Sequence, residues 1–516
     1  MSVATTGPAV AELLTDFTTA EPASLEADFH RLVSALWHRG EAGDRALTAV
    51  PALVAALDEA GDDRKGHLAV LLGLLAEAEY PAIDGPLNAA VREGLDRYLD
   101  LLARTGKDRP LTLALLYLVS HFPGDRERIL AAVAPLELSP PDQSRLVRGL
   151  ASLDYDDPDI GRMWPSPSVW DLSAEDLEFH RQQLRALTTA QITTNWENDT
   201  RMLWAYSGAM AYWAVRHGMP VDLPPAPGTG EAPAPAAELG IETFTQYADV
   251  LRCTACSGSV EFDGEVVRCP ACAVRYPIAL GILDLSDGIS EATADLPHEA
   301  TANLLAKLAE MPSLGVYYEK VLRPAYLRIA GANWGGAVTP QVEDDYITRQ
   351  IRPVDGPVLD LACGAGRWTT VVAAAVGQER LVGVDMGLPM LTVMRGKLPQ
   401  VPAVRGSALN IPFADATFGA VNCWNALQAF PDDAADAIAE VGRVLRPGGT
   451  FTLMTFLFDT DPIARHFQES HYFPSRPEGQ LLFTMEELER WLADAGMSIA
   501  DSSGPGSFAF ITAVRG

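Results

Sequence analysis

The sequence predicts a multidomain protein with an all-α N-terminal half, a small ribbon built on four cysteines, and a C-terminal α/β domain with a doubly wound sheet. Three observations predict it. Apolar residues recur at helical spacing in the first part of the chain, two Cys-x-x-Cys pairs follow, and an apolar strand then runs into a glycine-rich turn. The expected segments are a helical region (1–219), a Pro/Ala-rich linker (220–245), the ribbon (246–286), a helical connector or lid (287–344) and the α/β domain (345–516).

Length and composition indicate a globular protein. The chain has 516 residues, of which 48% are hydrophobic, enough for more than one buried core. No run of about 18 uninterrupted apolar residues occurs, and the first residues lack the basic and apolar regions of a signal peptide. We therefore expect no membrane span and a cytoplasmic location.

The charge argues against nucleic acid as a partner. The net charge is −29, whereas proteins that hold phosphate backbones need clustered Lys and Arg, and no such cluster is evident.

The N-terminal region reads as successive amphipathic or buried helices. Residues 44–57, 67–76 and 110–121 are apolar at helical spacing and are separated by short turns. This pattern of short helices separated by turns resembles HEAT-like repeats, with a non-repetitive helical bundle as the alternative. A curved helical stack offers a concave surface, so this region is expected to recruit a macromolecular or carrier-bound substrate or a protein partner, or to bind a second copy of the chain. The alternative is that it only covers the C-terminal domain.

The four cysteines form the pattern Cys253-x-x-Cys256 and Cys269-x-x-Cys272, with twelve residues between the pairs. Each Cys-x-x-Cys pair forms a tight turn, or knuckle. Two knuckles supply a tetrahedral set of thiolates to Zn²⁺. The intervening residues read as a hairpin that turns at Asp263 and Gly264. Four thiolates leave no open coordination position, so we expect a structural zinc. A pair of disulfides is the alternative, which a reducing compartment disfavours.

The glycine turn at residues 358–367 indicates a binding site for a cationic ligand. Asp360 lies in the apolar strand, and Gly364 and Gly366 let the backbone approach a ligand. The next helix points its N-terminal N–H groups at that ligand. A dinucleotide fingerprint would have a third glycine where Thr369 stands, and the Gly-Lys-Ser/Thr of a P-loop is absent. An acid ahead of the glycines suits a positive charge better than a pyrophosphate.

Four segments in order resemble the motifs of class I S-adenosylmethionine-dependent methyltransferases of the ubiquinone and menaquinone type. They are the glycine turn, the strand that ends at Asp385, residues 406–418, and the helix, Pro-Gly-Gly turn and strand of residues 441–455. The resemblance covers about residues 345–516 and implies a Rossmann-like fold. Asp385 matches the acid that accepts the ribose hydroxyls, and Ser407 replaces an acid that commonly faces the adenine amino group. The implied cofactor contacts are Asp360, Ala362, Gly364, Gly366, Asp385, Met386, Ser407, Ala408, Leu409 and Asn425.

The expected activity is methyl transfer from S-adenosylmethionine to a small molecule or a peptide, with the unusual domain arrangement indicating secondary metabolism. His466 and His471 follow the late strand, where this family builds substrate pockets, and are candidate general bases. The alternative for each is a histidine without a catalytic role. Two other functions stay open. Methylation of RNA is one, because ribosomal-RNA guanine methyltransferases carry a similar ribbon before the catalytic domain. A non-catalytic scaffold that binds the cofactor is the other.

Overall fold

The computed structural model describes residues 9–107, 109–159, 187–221, 241–263, 266–286, 323–429, 433–471 and 482–516, with a few isolated positions between 162 and 185. The α-helices in the described residues are α1 (Val10–Thr19), α2 (Leu25–Leu36), α3 (Ala46–Glu59), α4 (Asp62–Glu77), α5 (Pro86–Arg92), α6 (Leu95–Arg104), α7 (Pro110–Val119), α8 (Arg126–Val133), α9 (Pro140–Gly149), α10 (Thr189–His217), α11 (Glu242–Thr245), α12 (Arg323–Gly331), α13 (Pro340–Gln350), α14 (Arg367–Val376), α15 (Leu388–Lys397), α16 (Ala434–Val444), α17 (Pro462–Glu469) and α18 (Met485–Asp494).

The strands in the same residues are β1 (Trp37–His38), β2 (Glu41–Ala42), β3 (Glu261–Asp263), β4 (Val266–Arg268), β5 (Arg275–Ala279), β6 (Ile282–Asp284), β7 (Val358–Leu361), β8 (Leu381–Asp385), β9 (Ala403–Arg405), β10 (Phe418–Trp424), β11 (Leu445–Phe456), β12 (Met497–Ser503) and β13 (Phe508–Arg515).

The chain divides into two compact units whose boundaries differ from those of the predicted segments. The first unit comprises Met1–Asp171, Thr188–Pro224 and, from far along the chain, Asp459–Tyr472. The second comprises Leu172–Leu187, Pro225–Phe458 and Phe473–Gly516. The predicted α/β segment 345–516 is therefore interrupted by a short piece that folds with the N-terminal helices. Most of the predicted linker and of the predicted lid lies outside the described residues.

The first unit is helical, as the apolar periodicity predicts. Helix α4 is buried on every side over residues 66–76, and nine consecutive residues of α7 are buried beside it. A helix that is apolar all round belongs in a core. The two helices approach closely at Gly73, where an added Cβ would lie 2.3 Å from the Tyr117 ring. The longest described helix, α10, starts at a Thr188–Gln191 capping box and ends at Gly218 with φ +61°. A HEAT-like repeat stays a prediction.

The second unit is built on one mixed sheet with the order β12-β13-β11-β10-β7-β8-β9-β6-β5-β4-β3 in the described residues. Strands β11, β10, β7, β8, β9 and β6 run parallel, and β13 and β12 close one edge antiparallel. All four residues of β7 are buried, because helices and loops cover both faces. The strand order reverses between β7 and β10. At such a point the crevice outside the carboxyl ends of the strands is the usual ligand site.

The cysteine module, which we define as residues 246–286, belongs to this unit and extends its sheet. Strands β3 and β4 pair antiparallel with Phe262 opposite Val267, which agrees with the predicted hairpin. Strand β6 then pairs in parallel with β9, with Leu283 opposite Val404. The module is therefore continuous with the α/β sheet, a connection that the sequence did not predict. Across the part of the chain that the structure describes, none of the helices is both long and apolar enough to cross a membrane.

Candidate functional site

The turn after β7 adopts the backbone conformation that its glycines predict. Gly364 has φ +53° and Gly366 has φ +82°, and Ala362 also adopts a left-handed conformation with φ +55°. A non-glycine residue in that region is disfavoured and is typical of functional turns. Helix α14 starts directly after Gly366, so its first N–H groups face the crevice at the sheet switch point.

The two glycines have different surroundings. A Cβ on Gly364 would meet only the terminal methyl of Met390, at 3.7 Å, so the space beside this residue is open. A Cβ on Gly366 would lie 2.6 Å from Cγ of Met394. Gly364 is therefore the glycine that leaves room for a ligand, whereas Gly366 lets α14 pack against α15.

Asp385, at the end of β8, joins the turn to the neighbouring loop. One carboxylate oxygen accepts the N–H of Gly364 at 2.8 Å, and the other accepts the N–H of Gly387 at 2.7 Å. Burial raises the pKa of Asp385, and the backbone donors act in the opposite direction. A carboxylate has about four lone-pair positions, so the backbone donors leave acceptor capacity for a ribose hydroxyl.

Asp360 lies beneath the turn and is 1% exposed. Its carboxylate accepts hydrogen bonds from Thr369 Oγ1 at 2.5 Å and from Asn422 Nδ2 at 2.7 Å. Burial raises the pKa of Asp360 to about 6 against the effect of these two donors. In the structure Asp360 therefore braces β7, β10 and α14 from below. Sequence reasoning did not identify Thr369 and Asn422 as its partners, although a polar Asn422 in the apolar strand β10 was a detectable signal.

The loop after β9 and the residue after Asp385 present apolar surface at the same edge of the sheet. Met386 is 41% exposed and Leu409 is 39% exposed. Ala408, directly before Leu409, is buried. The hydroxyl oxygen of Ser407 accepts the N–H of Leu409 at 3.1 Å. Large exposed apolar side chains at a sheet's carboxyl edge suit a flat aromatic ligand such as adenine.

Asn425, directly after β10, starts a buried polar chain. It has φ +60°, and its side-chain oxygen accepts a hydrogen bond from Gln428 Nε2 at 2.9 Å. Gln428 in turn accepts one from Thr455 Oγ1 at 3.1 Å. On the other side Trp424 Nε1 donates to Glu343 at 2.9 Å, and Glu343 pairs with the buried Arg323. Sequence reasoning missed Arg323 and Glu343, which no local motif marks.

The four cysteines of the module converge. Their sulfur atoms all lie within 4.8 Å of one another, with 3.5 Å between Cys253 and Cys272 and 3.5 Å between Cys256 and Cys269. A tetrahedral zinc with Zn–S bonds of about 2.3 Å requires S···S separations of about 3.8 Å. Although burial acts to raise the pKa of Cys253, hydrogen bonds from Tyr276, Cys272 and two backbone N–H groups lower it to about 6.

The two histidines predicted as bases lie in the first unit, on and after α17. His466 Nε2 is 2.7 Å from the Glu77 carboxylate, and its ring packs edge-on against Trp37. His471 is 7% exposed, and burial lowers its pKa to about 4. An effective general base has a pKa near the working pH. These surroundings favour structural roles for both residues, and their catalytic role stays a prediction.

The strand order, the glycine turn and the acid at the end of β8 define a Rossmann-like domain whose switch-point crevice suits a nucleoside ligand. Residues 358–449 match the family described as "Methyltransferase domain". This part of the chain thus carries a methyltransferase domain, as its motifs predict.

Relatives of known name agree with that domain. The chain is 27% identical over 206 residues to an uncharacterized chloroplastic methyltransferase of Arabidopsis thaliana, covering 38% of this chain and 55% of that protein. It is 29% identical over 153 residues to a demethylmenaquinone methyltransferase of Staphylococcus haemolyticus, covering 29% of this chain and 64% of that one. The chain thus spans between half and two thirds of the length of these relatives. A solved putative methyltransferase from Bacillus halodurans is 23% identical, with a TM-score of 0.28 over 31% of this chain and 71% of that one.

Proposed function

We propose that this protein is a methyltransferase that transfers the methyl group of S-adenosylmethionine to a small molecule or peptide, in secondary metabolism. The observation that carries the proposal is the position of Asp385, whose carboxylate accepts the N–H of Gly364 and keeps lone pairs for a ribose. A ribose acceptor fixed to a glycine turn beside a helix N-terminus is suited to a nucleoside with an amino-acid tail.

The described residues fit S-adenosylmethionine. The open space beside Gly364 accommodates the amino-acid end, and the exposed faces of Met386 and Leu409 accommodate the adenine. The buried Asp360 places negative charge under the turn, where it attracts the cationic end of the ligand. When bound, S-adenosylmethionine supplies a methyl group already activated by a sulfonium charge.

The protein's own part in the reaction is mainly alignment. The turn, Asp385 and the loop after β9 hold the donor at the carboxyl edge of the sheet, where an acceptor can be brought into line with the methyl group. The polar chain of Asn425, Gln428 and Thr455 ends at the same edge and can orient a polar acceptor. Exclusion of water from this edge favours neutralisation of the sulfur charge during transfer.

A small acceptor is the substrate class that we propose, for two reasons. The net charge of −29 makes the chain poorly suited to RNA. Among the relatives, the demethylmenaquinone methyltransferase is named for a quinone, a substrate that is not a macromolecule. The zinc that we propose for the four cysteines is structural, since four thiolates occupy every position of a tetrahedral ion.

The test is calorimetry with S-adenosylhomocysteine, using Asp385→Ala and, as control, Glu379→Ala in an exposed 3-10 turn. Loss of the ribose acceptor is expected to weaken binding by about one to two orders of magnitude, because hydrogen bonds to a charged group contribute about 1.5–3 kcal/mol each. The control should bind normally.

Equal affinities of the wild type and Asp385→Ala would contradict the assignment. Binding without methyl transfer to any of a panel of small acceptors and peptides would favour the scaffold alternative. RNA binding with a steep salt dependence would favour the RNA methyltransferase alternative.

A further inference from the structure

The cysteine module and the adenine loop, which we define as residues 406–414, are joined by backbone pairing. The N–H of Arg252, one residue before the first cysteine, donates to the carbonyl of Pro412 at 3.0 Å, and the N–H of Ala414 donates to the carbonyl of Val250 at 2.7 Å. Leu251 and Phe413 lie opposite each other in this short antiparallel bridge, and both are fully buried. The chain thus passes directly from its contact with the adenine loop into the first knuckle.

Thr254, inside the first knuckle, makes a second set of contacts. Its carbonyl accepts the side-chain N–H of Asn410 at 3.0 Å, and its hydroxyl donates to the carbonyl of Leu285 at 3.0 Å. Its N–H donates at 3.2 Å to the Tyr276 hydroxyl, which lies 3.1 Å from Sγ of Cys253. One residue beside a metal-ligating sulfur therefore contacts both the adenine loop and the end of the module.

A third connection reaches the other adenine contact. The N–H of Leu285, just after β6, donates to the carbonyl of Arg405 at 2.9 Å, and Asp284 pairs with the Arg405 guanidinium at 3.0 Å. The same guanidinium donates from Nε to the carbonyl of Met386 at 3.1 Å. The module thus braces both apolar residues that we assign to the adenine, Met386 through Arg405 and Leu409 through its neighbour Asn410.

The contacts that the module makes with the adenine loop and with Arg405 depend on the arrangement of the four sulfur atoms. A module of about 40 residues buries too little apolar surface to hold its own fold, and a metal usually supplies the missing stability. Only one cysteine of each knuckle is buried, since Cys256 and Cys272 are exposed, so burial alone holds half of the sulfur atoms in place. Without a metal, the knuckle that carries Thr254 has no covalent or coordinate tie to the second knuckle.

We propose that metal occupancy of the cysteine module sets the affinity of the methyltransferase domain for its nucleoside ligand, through the adenine loop and Met386. This inference rests on the proposed function, since it assumes that the ligand is S-adenosylmethionine. Zinc in the module holds the knuckle, the knuckle holds the loop, and the loop is preformed for adenine. By linkage, the ligand must strengthen zinc binding by the same factor.

The experiment measures the coupling from both sides in the full-length protein. Calorimetry with S-adenosylhomocysteine is done on zinc-loaded and chelator-stripped protein, and hydrogen exchange follows residues 406–414. Removal of zinc is expected to weaken binding about tenfold, within the usual range of coupling between sites, and to deprotect the loop but not β10 and β11. Equal affinity in a folded, zinc-free protein would overturn the inference.

Matched variants test whether the coupling passes through the hydrogen bond between Asn410 and Thr254. Asn410→Ala removes the side-chain bond to Thr254 and should reduce the coupling factor about threefold, the loss of one hydrogen bond, with zinc content unchanged. Arg268→Gln lies on the exposed hairpin of the same module and should keep the full coupling. Identical coupling factors in the two variants would overturn the proposed path.

If the protein unfolds without zinc, the effect of the ligand on zinc binding is measured instead. Competition for zinc between the protein and a chromogenic chelator is measured with and without saturating S-adenosylhomocysteine, and tighter retention with the ligand is expected. Zinc retention that ignores the ligand would overturn this inference alone. Failure of the zinc-loaded protein to bind S-adenosylhomocysteine would overturn the proposed function and this inference with it.

Discussion

The carboxylate of Asp385 accepts the backbone N–H of Gly364 at 2.8 Å, which ties the end of β8 to the turn after β7. The geometry of the turn and the position of the proposed ribose acceptor are therefore set together before any ligand binds. Preorganisation of this kind lowers the entropy lost on binding. It also means that the two glycines of the turn, although they look equivalent in the motif, should respond differently to substitution.

We predict that Gly364→Ala abolishes ligand binding with little effect on folding, whereas Gly366→Ala destabilises the domain. An alanine at φ +53° costs about 1 kcal/mol, and its Cβ meets only the flexible end of Met390, so it occupies the space meant for the ligand. At Gly366 the clash with Met394 adds about 1–3 kcal/mol of overpacking. Urea denaturation and calorimetry with S-adenosylhomocysteine separate the two effects. Normal ligand binding by Gly364→Ala would contradict the proposal that the ligand occupies the space beside Gly364.

Ligand affinity should depend on pH through Asp360. Burial raises the pKa of this carboxyl to about 6, and a bound cation lowers the pKa again, so binding releases a proton. Affinity is therefore full above about pH 6.5 and declines below pH 6, by up to tenfold per pH unit. Calorimetry between pH 5 and 8, in buffers of different ionisation enthalpy, measures both the affinity and the proton release.

Asp360→Asn is the control for that titration, because it cannot release the proton and should show a flatter profile with weaker binding. Burial also raises the pKa of Asp385, so any dependence that survives in Asp360→Asn is assigned to Asp385. A wild-type affinity that is the same at pH 5 and pH 8 would contradict a role for a buried carboxylate beneath the cation.

Local patterns in the sequence were enough to predict the parts of the fold that local physics determines. The strand, turn and helix around Gly364 follow from apolar runs and glycine conformations, and the cysteine module follows from the spacing of Cys253 to Cys272. The partners of His466 and of β6 could not be predicted in this way. Glu77 and His466 are separated by 389 residues in the chain, and β6 pairs with β9 through backbone groups that carry no sequence signal.

The candidate site likewise combines residues that local patterns predict with residues that only the fold brings together. Asp385 could be predicted as a candidate because it ends a strand after a recognisable turn, whereas the partners of Asp360 come from a helix and from a strand distant in sequence. The assignment of Asp459–Tyr472 to the helical unit depends on complementary pairs, such as Asp461 with Tyr212 at 2.7 Å. Such pairs are visible only when the chain has folded.

We predict that the zinc content is about one ion per chain and that Cys253→Ser lowers both zinc content and thermal stability, because a structural zinc supplies folding energy to its module. Elemental analysis and thermal unfolding measure the two quantities. Cys423→Ser, at a buried strand position away from the four-cysteine cluster, is the control and should keep its zinc. Full stability of a zinc-free Cys253→Ser protein would contradict the structural role.

His466→Ala is expected to destabilise the helical unit. The substitution leaves Glu77, whose pKa is lowered to about 2 by hydrogen bonds from His121 and His466 against the effect of burial, with one partner fewer. Loss of a partner to a buried charge costs about 1–3 kcal/mol. His217→Ala, at an exposed histidine of α10, is the control and should unfold like the wild type. A loss of turnover at unchanged stability would instead support His466 as a catalytic base.

Stability of the helical unit should fall as the pH is lowered through the titration range of His471. Burial lowers the pKa of His471 to about 4, whereas an unfolded histidine titrates near 6.5. Because the folded pKa is depressed, the unfolded state binds the proton first as the pH falls. The contribution is therefore complete above about pH 6.5 and is lost progressively down to about pH 4, on the order of 3 kcal/mol in all.

Glu77 contributes in a different window, below pH 4.5, since its folded pKa is also depressed and its loss of stability begins only when unfolded carboxyls take up protons. The pKa of His67, which burial also lowers, adds to the upper window. Urea midpoints of the helical unit, followed by hydrogen exchange in α4 and α7, should therefore drop between pH 6.5 and 4 in the wild type and drop less in His471→Gln. A wild-type midpoint that is constant over that range would show that these histidines accept protons in the folded state as readily as in the unfolded chain.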